Sequence, residues 1–197
     1  MTFQASRRGR RTEEPPPSGA AAMDAEPDQE SVARAIALRL LTGAARSRAQ
    51  LAEAMARKEV PDAVAEKVLD RFTEVGLIDD EEFARMLVRT RHAERGLSRR
   101  AIAVELRRKG IDDELAAAAL DEVDSDDEEI AARALVRRKL AATSTLDVQT
   151  RARRTYAALG RKGYPPGLVS RLVREELAAI DSTDETLEGL DGAVSPY

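Results

Sequence analysis

The sequence predicts an all-α fold: three tandem three-helix, helix-turn-helix-like repeats forming a curved, elongated array. The first observation behind this is a recurring turn. It appears as Arg57-Lys58-Glu59-Val60, Arg108-Lys109-Gly110-Ile111 and Arg161-Lys162-Gly163-Tyr164, with the first two copies 51 residues apart and the last two 53 apart. The second is that the surrounding positions match too. At the first spacing Ser47 falls on Ser98, Leu51 on Ile102, Met55 on Leu106, Val64 on Leu115 and Leu69 on Leu120; upstream, Val32 falls on Phe83, Ile36 on Leu87 and Ala37 on Val88. At the second, Leu106 falls on Leu159, Leu115 on Leu168 and Leu120 on Val173. These positions lie three or four apart, as one buried helix face requires. The third is composition. Hydrophobic residues make up 43% of the chain but aromatics only 3%, so the core is built from Leu, Ala, Val and Ile, which suits packed helices better than a pleated sheet.

The elements follow in order. Residues 1–29, rich in Pro, Ala, Arg and acids without period, read as a disordered N-terminal extension. The first repeat, 30–77, holds a helix over 32–41, then a capping box at Ser47-x-x-Gln50 that opens a helix to about Lys58. Pro61 suits the first turn of a third helix, which Gly76 ends. The second repeat, 78–125, begins at Asp79 with Glu82 three residues on, and its acidic first turn complements the helix dipole. That helix runs to about His92 and breaks at Gly96; Ser98 caps the next, Gly110 ends it, and Asp112 caps the third. The third repeat, 126–180, has a longer connection near 141–147, and Pro165-Pro166 introduces its last helix. Residues 181–197 read as an acidic flexible tail. Single helices of this length are marginal in water, so stacking of the units must stabilise them.

A net charge of -4 conceals strong segregation. Residues 85–109 carry nine Arg or Lys against Glu94 and Glu105; residues 112–129 carry ten Asp or Glu and no basic residue; residues 130–174 carry eleven Arg or Lys against Asp147 alone. Such local fields attract polyanions or acidic protein surfaces. The acidic stretch either forms the exposed side of a junction between units or folds onto the neighbouring basic helices. The absence of cysteine removes disulfides and thiol chemistry. No apolar stretch approaches the ~20 residues of a membrane span, and a cytoplasmic location is the expectation. His92 is the single histidine, which argues against a metal site. No glycine loop of the phosphate-binding kind is present, because Gly110 and Gly163 end helices; no cofactor and no enzymatic activity are expected.

The run Gly76-Leu77-Ile78-Asp79-Asp80-Glu81-Glu82-Phe83-Ala84, followed by Gly96-Leu97-Ser98 and by Glu105-Leu106-Arg107-Arg108-Lys109-Gly110-Ile111, resembles the RecX family of bacterial regulators of the RecA recombinase. Arg46-Ser47-Arg48 with Leu51, and Arg161-Lys162-Gly163-Tyr164, fit the same resemblance, which covers about residues 31–178. It implies a curved array of three-helix modules that binds in the groove of the recombinase filament on single-stranded DNA. It also implies inhibition of strand exchange, ATPase and coprotease functions. One departure is Glu59, which stands where the later units have glycine.

The candidate binding residues are the outward basic ones: Arg85, Arg89, Arg95, Arg99, Arg100, Arg107, Arg108 and Lys109 in the second repeat, and Arg137, Arg138, Lys139, Arg151, Arg153, Arg154, Arg161 and Lys162 in the third. The planar guanidinium meets carboxylate or phosphate bidentately. Some of so dense a set must be structural. Arg91, at the inner edge of its stripe, is expected to pack its stem while its head reaches water. Tyr164 and Phe83 fall on core positions, which leaves phosphate or protein contacts, rather than base stacking, to dominate. The expected partners are a recombinase filament and, through it, single-stranded DNA, with weak direct DNA binding beside them and the chain itself a monomer. The rival reading is a helix-turn-helix transcription regulator, although such a protein has one unit beside a sensor or dimerisation domain.

Overall fold

The computed structural model describes residues 28–191. The extension read as disordered lies almost wholly outside the described residues, as do residues 192–197 of the acidic tail. Among the described residues there are nine α-helices and no strand: α1 (Gln29–Gly43), α2 (Arg48–Ala56), α3 (Asp62–Glu74), α4 (Asp80–Ala93), α5 (Arg99–Arg108), α6 (Asp113–Leu120), α7 (Ser125–Ala141), α8 (Val148–Arg161) and α9 (Pro166–Asp191). None of these is long and apolar enough to cross a membrane. α9 continues helically to Asp191, into the segment read as a tail; no proline interrupts the chain between Pro166 and Pro196.

Close helix packing is within triplets: α1 with α2 and α3, α4 with α5 and α6, α7 with α8 and α9. Each triplet owns a core. The first centres on Leu51, Met55, Leu69 and Phe72, the second on Val88, Ile102 and Leu106, the third on Val136, Leu140, Leu159 and Leu172. Ile78 packs into the first core although it precedes α4. The N-caps follow the sequence: Ser47 closes a full capping box with Gln50, and Asp79, Ser98 and Asp112 accept from backbone amides of the first turn. Pro61 stands one position before α3, as its N-cap, rather than inside the first turn.

The recurring turn is the same object three times. After α5, Gly110 N donates to Arg107 O and Ile111 N reaches back to Leu106 O; after α8, Gly163 N and Tyr164 N do the same toward Gly160 O and Leu159 O. After α2, Glu59 N and Val60 N bond Ala56 O and Met55 O. This pair of hydrogen bonds closes a helix with a left-handed residue, and an apolar residue follows to cover it. Gly110 and Gly163 have φ of 73° and 84°, and Glu59 takes the same region at 60°.

These turns are also the joints between modules. The turn after α5 lies against the amino end of α2, where Ser47 Oγ donates to Lys109 O at 2.6 Å. The turn after α8 lies against the amino end of α5, where Ser98 N donates to Lys162 O at 3.0 Å. A further bond recurs beside each: Arg48 N donates to Asp80 at 2.8 Å and Arg99 N to Glu128 at 2.9 Å. A Cβ on Gly110 would overlap the Ala49 methyl, and one on Gly163 would come within 2.6 Å of Ser98 Oγ and 2.7 Å of Ala101 Cβ. The middle helices therefore meet carboxyl end to amino end, α8 onto α5 onto α2. Glu59 belongs to the first module, whose turn docks on nothing among the described residues, so a side chain fits there.

Candidate partner-binding surface

The sixteen candidate cations separate by what they touch. Four are engaged by carboxylates. Arg85 pairs with Glu81 and, at 3.0 Å, with Glu122; Arg89 pairs with Glu82 at 2.8 Å. Arg99 bonds Asp121 at 2.8 Å and the Val123 carbonyl at 2.7 Å, and Arg137 bonds Glu176 at 2.7 Å. Of the acidic stretch, Asp121, Glu122, Glu128 and Glu129 thus fold onto basic helices or the joint, while Asp112, Asp113 and Glu114 stay exposed.

Arg151 is buried, with 9% of its surface accessible. Among the described residues its guanidinium makes a long 3.4 Å contact to the Leu140 carbonyl, and its Nε has no partner. It faces the interior because α8 presents Arg151, Thr155, Ala158 and Leu159 to the core of the third module. That placement removes it from the outward set.

The other candidates have no carboxylate within ion-pairing distance among the described residues. Lys109 instead holds its ammonium 6.0 Å from the centroid of the Phe83 ring. Arg100, Arg107 and Arg108 project from α5, with half-exposed Val104 between them. Arg138 and Lys139 end α7, Arg153, Arg154 and Arg161 are exposed on α8, and Arg95 is exposed after α4. Lys162 gives its ammonium to the Arg95 carbonyl across the second joint. Burial, and then the neighbouring Arg138 and Lys139, push the Lys162 ammonium below its ordinary pKa.

The joints place these cations in series. Arg107 and Arg108 end the helix that docks on α2, and Arg161 ends the helix that docks on α5, whose first turn carries Arg100. Basic residues in a last turn ordinarily sit against the negative end of the helix dipole. Here that end meets the positive end of the next helix, so part of the local compensation is cancelled and the side chains present charge outward.

Two features escaped the sequence reading. Tyr156 is 39% exposed on α8, three residues after Arg153 and so on its face; it offers an aromatic surface beside unpaired guanidinium groups. Arg91 does not send its head to water. It grips Glu105 bidentately, Nε to Oε2 at 2.8 Å and Nη2 to Oε1 at 2.7 Å, tying α4 to α5. The Arg91 hydrogen bonds hold the Glu105 carboxyl below its ordinary range. A second network, Arg133 and Arg171 with Glu129, Glu175 and Glu176, ties α7 to α9. No group of three or more His, Cys, Asp or Glu among the described residues is placed to hold a metal.

Comparison with known proteins agrees with this architecture. Models of the first, second and third three-helix domains of RecX match residues 33–72, 79–120 and 126–173. The regulatory protein RecX of Thermobifida fusca is 54% identical over 164 residues, 83% of this chain and 87% of that protein. Its counterpart in Streptomyces coelicolor is 51% identical over 162 residues, 81% of this chain and 86% of the relative. The crystal structure of RecX from Lactobacillus salivarius superposes with a TM-score of 0.65 at 20% identity, covering 75% of this chain and 96% of that one.

Proposed function

The chain belongs to the RecX family of regulatory proteins, and from that premise we propose that it is a negative regulator that docks on a RecA-type recombinase filament on single-stranded DNA. Its apolar stripes build three modules, and its unpaired cations bridge recombinase subunits, DNA phosphates or both. Occupying the filament groove blocks growth and competes with incoming DNA and with repressor substrates. Strand exchange, ATPase and coprotease activity all fall as a consequence. The inhibition is steric and electrostatic, and no bond is made or broken.

The observation that supports this reading is the run of unpaired cations, Arg100, Arg107 and Arg108 on α5 with Arg138, Lys139, Arg153, Arg154 and Arg161 in the third module. These cations have no carboxylate partner among the described residues, so a partner's anionic groups meet them without first displacing an internal ion pair. Tyr156 adds a surface on which a base can stack.

The test replaces Arg100, Arg107 and Arg108 with Ala. Alanine is a good helix former, so circular dichroism should be unchanged while inhibition of the recombinase ATPase weakens. Full inhibition by a folded triple variant would move the contact elsewhere. Binding should also weaken as salt rises. A pull-down comparing recombinase on single-stranded DNA, recombinase alone and duplex DNA alone separates this reading from a transcription regulator, which would give a duplex-only signal.

A further inference from the structure

The grooves flanking the two joints occupy equivalent places in the repeat but differ in chemistry. The first, about 150 Å³, is lined by Leu41, Arg46, Leu77, Asp79, Glu82 and Met86 among others, one cation against two carboxylates. The second, about 500 Å³, has Leu97 and Leu135 on its walls and His92, Arg95, Arg138 and Lys162 as its polar lining, with Glu94 its one carboxylate. Neither Arg95, Arg138 nor Lys162 has a carboxylate partner among the described residues. His92 Nδ1 is sealed from solvent and has no hydrogen-bond partner among the described residues.

The carboxyl end of α4 opens toward this groove, and its carbonyls would ordinarily oppose an anion. Here they are occupied. Arg91 O accepts from Leu97 N at 3.1 Å and His92 O from Gly96 N at 3.0 Å. Arg95 O accepts from Lys162, and Gly96 O from Tyr164 OH at 3.2 Å. Of the other nearby carboxylates, Glu128 accepts from the Arg99 amide at the joint and Glu105 is held by Arg91. What remains facing the groove is a surplus of cations supplied by two modules. The Lys162 ammonium is depressed first by burial and then by repulsion from Arg138 and Lys139, and an anion there would relieve the second of these.

We propose that the groove at the second joint is a binding site for a phosphate group, held between Arg95 of the second module and Arg138 and Lys162 of the third, with the His92 ring on its wall. A forked guanidinium engages two oxygens at a time, so two arginines and a lysine together match the several oxygens of a phosphate, where a carboxylate offers only two. The bound group bridges the two modules and fixes their joint. This site is a property of the chain alone and does not require the recombinase reading.

The experiment titrates inorganic phosphate into the full chain at constant ionic strength, with chloride as the balancing anion, and follows backbone amide shifts of Gly96 and Leu97 by NMR. Saturable 1:1 shifts centred on these residues are expected. Arg138→Gln and Lys162→Gln should each weaken them at least tenfold with unchanged circular dichroism, while Arg57→Gln, on the first module, leaves them as they are. Shifts that grow without saturating, or saturable shifts that survive both substitutions, would overturn the site. A single-stranded oligonucleotide then identifies the source. Competition with phosphate at Gly96 and Leu97 assigns the groove to a backbone phosphate, and saturable phosphate binding without competition assigns it to a free phosphate compound.

Discussion

Ser47 and Lys109, 62 residues apart, share the most economical contact in the molecule. The buried Ser47 hydroxyl donates to the Lys109 carbonyl at 2.6 Å and accepts from Gln50 N at 3.3 Å. One oxygen thus closes the amino end of α2 and the carboxyl end of α5. Ser98 holds the same place at the second joint, but there the backbone amide reaches the Lys162 carbonyl while the side chain caps α5 alone.

The two serines should therefore respond differently to alanine. Ser98→Ala removes a cap and leaves the inter-module bond, costing about 1 kcal/mol. Ser47→Ala removes the cap and leaves the Lys109 carbonyl without its donor, for a total of about 2–3 kcal/mol. Urea unfolding of both variants gives the comparison. Equal losses would mean that the Ser47–Lys109 bond contributes nothing net to the joint.

The glycines separate backbone strain from docking. Gly76 has φ 73° and open space around its missing Cβ, whereas Gly110 has the same φ and abuts Ala49. Gly76→Ala should cost only the left-handed strain, about 1–2 kcal/mol. Gly110→Ala should cost more, because α5 must withdraw from α2. Adding Ala49→Gly should recover part of the excess in a double-mutant cycle. Additive losses would show that the methyl contact is relieved without cost.

Glu59 reports on the same geometry from the other side. It holds φ 60° without a glycine's freedom, in a turn on which no module docks among the described residues. Glu59→Gly should raise stability by about 0.5–1 kcal/mol, the strain relieved less the added entropy of the unfolded chain. An unchanged or lowered urea midpoint would show that the Glu59 side chain contributes more than its backbone strain costs.

The repeat made most of the fold legible. Caps at Ser47, Asp79, Ser98 and Asp112, and the stripes through Leu51, Ile102 and Leu159, could be read because helix geometry is local. The same spacing exposed Glu59 as a departure but gave no reason for it, since the reason is a neighbour that the first turn lacks among the described residues. The surface was less legible. A row of arginines does not say which will meet a carboxylate: Arg85 reaches Glu122 and Arg99 reaches Asp121 only because α6 returns beside α4 and α5. Arg151 looked like one more basic residue in a run, and its burial depended on the phase of α8, which the longer connection before it obscured. The groove of His92, Arg95, Arg138 and Lys162 draws on both sides of a joint, so no window of sequence contains it.

Acid should loosen the modules through carboxylates held in ion pairs, Glu105 and Glu129 among them. The Arg91 hydrogen bonds hold Glu105 below its ordinary value of 4.5, and those of Arg171 and Arg133 hold Glu129 down to about 2. A carboxyl whose pKa is lower in the folded state stabilises the fold fully above its unfolded value and loses that contribution as pH falls through the folded one. Asp80, at the first joint, is raised by burial and works in the opposite direction, so it partly offsets the overall loss. Stability should thus be level from neutral pH to about 5 and fall between about 4.5 and about 2. Glu129→Gln should lower stability at pH 7 and flatten the acid decline, because the glutamine has no proton to take up. Urea midpoints measured across that range for the natural chain and the variant provide the check, and parallel declines would show that Glu129 is no part of the acid response.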